Sequence, residues 1–375
     1  MRGGRNAISS RPITLVIGGD NPVRFWGLTN AERIRRLATA AGVLTDRAPV
    51  TGDAILWADT AFAFDPAWFA HIVKNPATML VSGGRTVLVH LPAGSDPATT
   101  PGDRKGLTVI DYDQRPILYN HRLRKRECPF VEPLTADTAE ETERRSYYGA
   151  YKGVTDILTK YLWPEIALGL TRLAARLRLT PNMVSFIGIA LCIAATFLFA
   201  GGCYWTGLAC GFLFMILDTV DGKLARCTVT SSWWGNIIDH GVDIVHPPFW
   251  WFAWGWGTAA TAHPLDGRPF AIVLGMILGS YALQRLIEGV FMRRFGMHIH
   301  VWRKFDTDFR LITARRNPNM VILFVSLAAG RPDLGLVAVA WWAVASLLVH
   351  ALQFVQAYAW RARHGALTSW MEQAA

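Results

Sequence analysis

The sequence predicts an α-helical membrane bundle of six transmembrane helices, preceded by an interfacial amphipathic helix and by an N-terminal cytosolic α/β domain. Three observations predict it. Charged residues make up 18% of the 375 and hydrophobic residues 51%, whereas a soluble domain carries about 25% charged residues. Six apolar runs lie beyond Pro181. Before residue 121, short β-rich runs alternate with helical patterns.

The α/β part is read from runs at 13–17, 54–57, 78–82, 86–91 and 107–112, interleaved with helical stretches at 30–41 and 66–74. Such alternation predicts a small α/β domain over 1–121. Residues 122–149 are rich in charge (Arg124, Lys125 and Arg126, then Glu140, Glu141, Glu143, Arg144 and Arg145) and are expected to be a linker. From 151 to 178, Lys152, Lys160, Arg172, Arg176 and Arg178 are interleaved with Ile, Leu and Trp, the pattern of a helix lying in the membrane interface. A soluble packing helix would have the same periodicity. The membrane domain is expected to cover 150–365.

The spans are expected near 183–201, 203–225, 233–258, 269–292, 318–330 and 334–358. A span needs about 20 apolar residues, so the fifth is short. Between the fourth and fifth lie Arg293, Arg294, Arg303, Lys304, Arg310, Arg315 and Arg316, while the opposite loops carry only Arg268 and Arg331. Positive charge marks the cytoplasmic side, which puts this loop, both termini and the N-terminal domain in the cytoplasm. The first apolar run, 13–19, is too short for a signal peptide.

A formal net charge of +10 points to an acidic partner: phosphate-bearing ligands, anionic lipid or nucleic acid. Nucleic acid is not expected, because the basic residues segregate by membrane side and line no single groove. The sixteen Trp, most of them after residue 200, fit interfacial aromatic belts. Five cysteines without CxxC spacing read as reduced, structural thiols.

Ionisable groups within membrane spans are costly and mark function. Spans two and three hold Asp218, Asp221, Asp239 and Asp243. The pairs are spaced i, i+3 and i, i+4, so each shares one helix face. In a hairpin turning near Thr230, Asp221 and Asp239 each sit nine residues from the turn, and Asp218 and Asp243 sit twelve and thirteen away. The four carboxylates therefore meet at matching depth near the cytoplasmic end. Such a cluster requires protons or cations, and hard oxygen ligands select Mg²⁺, Mn²⁺ or Ca²⁺. Two ions could be held, as in phosphoryl displacement. Gly222, Ala225 and Gly235 would let a nucleotide approach the backbone, and Arg226 closes the helix where a phosphate could be held. The other readings are buried, mutually hydrogen-bonded carboxylates or an ion pathway.

The spacing Asp218-x2-Asp221-Gly222-x2-Ala225-Arg226-x8-Gly235-x3-Asp239-x3-Asp243 resembles, at every specified position, the signature of the CDP-alcohol phosphatidyltransferase family. Eight residues over 26 positions carry the resemblance, which extends over about 150–365 and includes Thr180-Pro181-Asn182 before the first span. It implies metal-dependent transfer of a substituted phosphoryl group from a CDP-alcohol, either CDP-diacylglycerol or a CDP-polyol, to an acceptor alcohol, with CMP leaving, in phospholipid or polar-lipid synthesis. Asp218, Asp221 and Asp239 would be metal ligands of Mg²⁺ or Mn²⁺, with Asp243 beside the metals as base on the acceptor hydroxyl. Gly222, Ala225, Arg226 and Gly235 would bind CDP. Membrane lipids and a homodimer are the other partners implied.

At the N-terminus, the segment from Gly18-Gly19-Asp20-Asn21-Pro22 through Arg24 to Leu28-Thr29 resembles a degenerate Gly-rich loop of sugar-nucleotide nucleotidyltransferases, with Asp59 at the position of a metal-binding aspartate. Pro22 replaces the second glycine and the following lysine is missing. These departures favour a non-catalytic or regulatory domain over an active cytidylyltransferase. The architecture is similar to fused inositol-phosphate cytidylyltransferase/phosphotransferase proteins, which hints at a polyol phosphate.

Arg285 and Glu288, i and i+3 on the fourth span, either neutralise each other or leave Arg285 to hold an acceptor phosphate. The competing function is a cation-coupled membrane transporter using the intramembrane aspartates as its ion site.

Overall fold

The computed structural model describes residues 12–95, 106–121, 123–231 and 233–373. The chain divides into two compact units. The first comprises the described residues of Met1–Asn120 with Arg126–Tyr151 and Ala225–Thr230, and the second comprises His121–Lys125, Lys152–Leu224 and the described residues of Ser231–Ala375.

In the first unit, β1 (Ile13–Gly18) pairs parallel with β4 (Ala54–Asp59), Ile13 opposite Ala54. Between them come the short β2 (Arg24–Phe25) and β3 (Leu28–Thr29) and then α1 (Asn30–Ala40). Thr29 is extended, and its hydroxyl accepts from the Glu32 amide at 3.3 Å, which satisfies one open donor of the first turn. After β5 (Phe62–Phe64), Asp65 caps α2 (Pro66–Lys74) in the same way, accepting from the Ala67 amide at 2.8 Å, with Pro66 in the first turn where its missing N–H costs nothing. With β6 (Thr78–Ser82), β7 (Arg85–Leu91) and β8 (Thr108–Asp111), the sheet order is β1-β4-β7-β6-β8. Ile34, Leu37, Leu56, Phe64, Trp68, Leu80 and Leu88 form the core beneath it. The expected α/β domain is therefore present.

The chain continues through β9 (Leu118–Asn120), β10 (Lys125–Glu127), β11 (Val131–Pro133) and α3 (Ala139–Gly149). Most of the stretch expected as a charged linker is thus folded. β11 pairs antiparallel with β5, the Trp68 indole donates to the Pro129 carbonyl at 3.0 Å, and Phe130, Val131, Leu134 and Tyr147 are buried. Charge counting misses this because Glu140 and Glu141 occupy the exposed face of α3 while its Thr142, Ser146 and Tyr147 face inward.

The first unit also contains six residues from far down the chain. Arg36 donates to the Thr228 carbonyl at 3.0 Å, Arg226 Nε donates to the Ala150 carbonyl at 3.0 Å, and Val229 packs against the domain core. Arg33 is fully buried in this core. It donates to the Phe64 carbonyl at 2.8 Å and stacks on Phe25, and burial pulls its guanidinium down to about 10.

The second unit is helical: α4 (Pro164–Arg176), α5 (Pro181–Ala200), α6 (Tyr204–Cys227, its last residues in the first unit), α7 (Trp233–Gly257), α8 (Gly267–Phe295), α9 (Lys304–Phe309), α10 (Arg316–Ala328) and α11 (Pro332–His364). Thr180 caps α5 by accepting from the Met183 amide at 3.3 Å, with Pro181 as its first residue. A helix lies on each of the six expected apolar runs. Among the described residues α5, α8 and α11 are long and apolar enough to cross a membrane. α5 packs on α7 and α8 on α11. The α5–α7 approach is close: a Cβ at Gly257 would collide with the Phe199 carbonyl.

The tryptophans divide between two environments. Trp205, Trp233, Trp234, Trp256 and Trp341 are exposed, but Trp250, Trp251 and Trp254 are buried with Phe199, Tyr204 and Phe214 and so belong to no interfacial belt. Trp250 donates to the Cys192 carbonyl at 3.2 Å and Trp254 to the Pro332 carbonyl at 3.0 Å. All five cysteines are free.

Candidate functional site

The second half of α6 carries Asp218 and Asp221 one turn apart. Ser185, one turn into α5, donates from its hydroxyl to Asp221 at 2.5 Å. Gly188, one turn further, lets α6 come close, since a Cβ there would lie 3.3 Å from the Phe214 ring. Ser185, Gly188, Ile189, Phe214, Asp218, Asp221 and Val242 line one cavity. Asp221 is 6% exposed.

Asp243 reaches the same place through a cation. Arg316, the first residue of α10, donates from Nη2 to Asp218 at 2.6 Å and from Nη1 to Asp243 at 2.8 Å. Its Nε donates to Asn317 at 3.0 Å, and its guanidinium lies 5.0 Å from the centre of the Phe214 ring. Asn317 in turn donates to Asp156 at 3.0 Å, and Asp156 also accepts from the amide and hydroxyl of Thr159. Asp218, Asp221 and Asp243 are thus gathered as the helix spacing predicts. Asp239 lies on α7, with its side chain outside the described residues.

Asp243 also precedes a break in the ladder of α7. Pro247 and Pro248 lie inside the helix and donate no N–H. The Ile244 carbonyl, four residues before Pro248, accepts instead from the Tyr281 hydroxyl of α8 at 2.9 Å.

The remaining predicted residues are placed as follows. Gly222 follows Asp221 on α6 and Gly235 lies in the first turn of α7. Ala225 and Arg226 belong to the first unit, where Arg226 bonds the Ala150 carbonyl. Arg285 donates to Glu288 at 3.3 Å, the neutralising pair the spacing allows. Glu288 serves more than Arg285, however. Arg315 donates to the same carboxylate oxygen, and His300 Nε2 lies 3.3 Å from it. His350 is completely buried 5.3 Å from the His300 ring, and neither of its ring nitrogens is hydrogen-bonded. Burial, with help from Arg315 and Arg310, holds His300 well below the usual imidazole range despite Glu288.

Sequence reasoning missed Ser185, Asp156, Asn317 and Tyr281, and it placed Arg316 among residues that set topology. The signal available for Arg316 was its cation in the first turn of a helix, where the macrodipole disfavours one unless carboxylates compensate.

Against known proteins, residues 178–311 match the family model described as CDP-alcohol phosphatidyltransferase. Residues 178–311 are a CDP-alcohol phosphatidyltransferase domain. Over 178 residues it is 28% identical to cholinephosphotransferase 1 of Bos taurus, a match covering 44% of this chain and 42% of that protein. Over 115 residues it is 28% identical to phosphatidylinositol phosphate synthase of Mycobacteroides abscessus, covering 28% of this chain and 52% of that one. The chain thus spans about half or less of the curated relatives it matches. The solved structure of Mycobacterium tuberculosis phosphatidylinositol phosphate synthase with CDP-DAG bound is 18% identical, with a TM-score of 0.40, covering 51% of this chain and 94% of that chain. Asp218, Asp221, Asp239 and Asp243 all fall inside the matched CDP-alcohol phosphatidyltransferase domain. That match leaves the transporter reading without support, since the aspartates fall within the matched residues.

Proposed function

We propose that this protein is an integral membrane phosphotransferase that moves a substituted phosphoryl group from a CDP-alcohol to an acceptor hydroxyl and releases CMP, in phospholipid or polar-lipid synthesis. The observation that carries the reading is the convergence of Asp218 and Asp243 on a single cationic group, with Asp221 beside them, inside the CDP-alcohol phosphatidyltransferase domain.

The donor set fits hard divalent cations. Its ligand atoms are carboxylate oxygens, and Arg316 stands in as the positive charge they require. Asp218, Asp221, Asp239 and Asp243 would hold Mg²⁺ or Mn²⁺, as two ions. When bound, the ions would neutralise the carboxylates and the donor phosphates and stabilise the charge that builds on the leaving oxygen. Asp243, with 47% of its side chain exposed against 18% for Asp218, is the most open of the described carboxylates to an incoming hydroxyl. It takes that hydroxyl's proton as the oxygen bonds to the phosphorus bearing the donor alcohol, and the P–O bond to CMP breaks. Gly222, Ala225, Arg226 and Gly235 would shape the CDP site.

Arg285 is the proposed acceptor-phosphate residue. Arg285, Arg310 and Arg315 outnumber Glu288, and Arg285 Nε, Arg310 Nη1 and Arg315 Nε are buried without a hydrogen-bond partner. Although Glu288, His300 and His350 each bring one ligand atom within 4.8 Å of the others, this excess of positive charge suits an anion better than a metal ion. Donors are CDP-diacylglycerol or a CDP-polyol. The six-span bundle with α4 in the interface, the 150–365 extent of the membrane domain, the cytoplasmic placement of site and N-terminal domain, the homodimer, and a non-catalytic N-terminal domain complete the reading. Arginine-rich 293–316 supports the orientation, and exposed Ile166, Leu173 and Leu177 support an interfacial α4.

The test is CMP release by the detergent-solubilised protein with Mg²⁺ or Mn²⁺, from CDP-diacylglycerol and CDP-polyols against a panel of alcohols and alcohol phosphates. Metal-dependent release that disappears in Asp243→Asn is expected. Absence of CMP from every donor would overturn the reading. Arg285→Ala should raise KM for the acceptor far more than for the donor.

A further inference from the structure

The arginine that bridges the carboxylates has no assigned part in the reaction, and its surroundings are unusually restrictive. Arg316 opens α10, where the positive end of the helix dipole opposes a cation. It is nevertheless held on every polar edge: Nη2 by Asp218, Nη1 by Asp243 and Nε by Asn317, with one face on Phe214. Asn317 is itself anchored to Asp156, which is 7% exposed. Only 12% of the Arg316 side chain is exposed. Arginine is suited to this place because its planar fork meets two carboxylates at once and keeps its charge when buried.

We propose that Arg316 is a built-in counter-cation of the Asp218–Asp243 pair, one that divalent ions must displace, so that this side chain sets the metal affinity of the site. The inference rests on the reading of the aspartates as metal ligands. A metal ion drawn to Asp218 Oδ2 or Asp243 Oδ1 needs the lone pairs that now accept from the guanidinium, and two like charges repel at that separation. The same guanidinium ties α6, α7 and α10 together. It thereby relieves the repulsion between carboxylates that would otherwise push those helices apart. Asn317 and Asp156 keep the guanidinium aimed at the site.

The experiment is Mn²⁺ binding to the detergent-solubilised full chain, without substrate, followed by the electron paramagnetic resonance of free Mn²⁺. Arg316→Gln should bind about tenfold more tightly than wild type, because the competing charge is gone. In EDTA it should also unfold at a lower temperature than wild type. Asn317→Ala keeps the charge but loses its tether, and should tighten binding by a smaller factor. That variant serves if Arg316→Gln does not fold. Equal or weaker Mn²⁺ affinity in the folded variants, with wild type binding normally, would overturn the inference alone. No Mn²⁺ bound by any of the proteins would overturn both the inference and the metal reading of the aspartates.

Discussion

The Tyr281 hydroxyl donates to the Ile244 carbonyl at 2.9 Å, supplying from α8 the bond that Pro248 cannot supply within α7. The backbone immediately after Asp243 is therefore held by a neighbouring helix. Tyr281→Phe removes that bond and should cost about 0.5–1.5 kcal/mol of stability. It should also lower kcat through a looser Asp243. Thermal unfolding and steady-state CMP release would check both, and an unchanged melting temperature would show that the bond contributes nothing.

Ser185 is the second test. Its hydroxyl fixes one oxygen of Asp221, and outer hydrogen bonds of this kind are typically worth 10–100-fold in metal affinity. Ser185→Ala is expected to raise the Mg²⁺ concentration needed for half-maximal activity by about tenfold, and Ser185→Thr to recover most of it. A titration of activity against Mg²⁺ separates this from a folding defect, which would lower the plateau and leave the midpoint in place.

Among the described residues, Glu288 is the carboxylate that Arg285 and Arg315 bond. Glu288→Gln removes the counter-charge and leaves buried arginines unpaired, a loss of about 3–5 kcal/mol in comparable sites. Inorganic phosphate should restore part of the lost melting temperature in the variant, because an anion would take over the role of the carboxylate. No phosphate effect would argue against an anion pocket here.

The structure also predicts a pH dependence. Burial holds His300 well below 6.5 and also lowers His90 in the N-terminal unit. Both groups titrate lower in the folded chain than in the unfolded chain, so the unfolded state binds the extra protons. Stability should therefore be complete above about pH 6.5 and should decline as pH falls below it, by up to about 1.4 kcal/mol per pH unit for each histidine. Melting temperature measured from pH 7.5 to 5 should show the decline, with a shallower slope in His300→Gln.

What could be read from the sequence was whatever repeats at short range. The apolar windows located α5, α6, α7, α8, α10 and α11, and the i, i+3 and i, i+4 spacing brought Asp218, Asp221 and Asp243 to one place. Partners with no periodic signal were hidden. Arg316 meets Asp218 across 98 residues and Asp243 across 73, and Ser185 meets Asp221 across 36. The stretch 126–149 was misread as linker because its charges are plain in the sequence, while the inward faces of Phe130 and Tyr147 become apparent only once β11 and α3 are folded.

Ala225–Thr230 has a consequence for the order of events during synthesis. Domains generally fold from the N-terminus as they leave the ribosome, but the first unit lacks its last six residues until α5 and nearly all of α6 have been made. Arg36 has no Thr228 carbonyl to bond, and the core has no Val229 to close it, until that point. The N-terminal unit can therefore begin to fold early but cannot finish until the helix bearing Asp218 and Asp221 has been translated to its end.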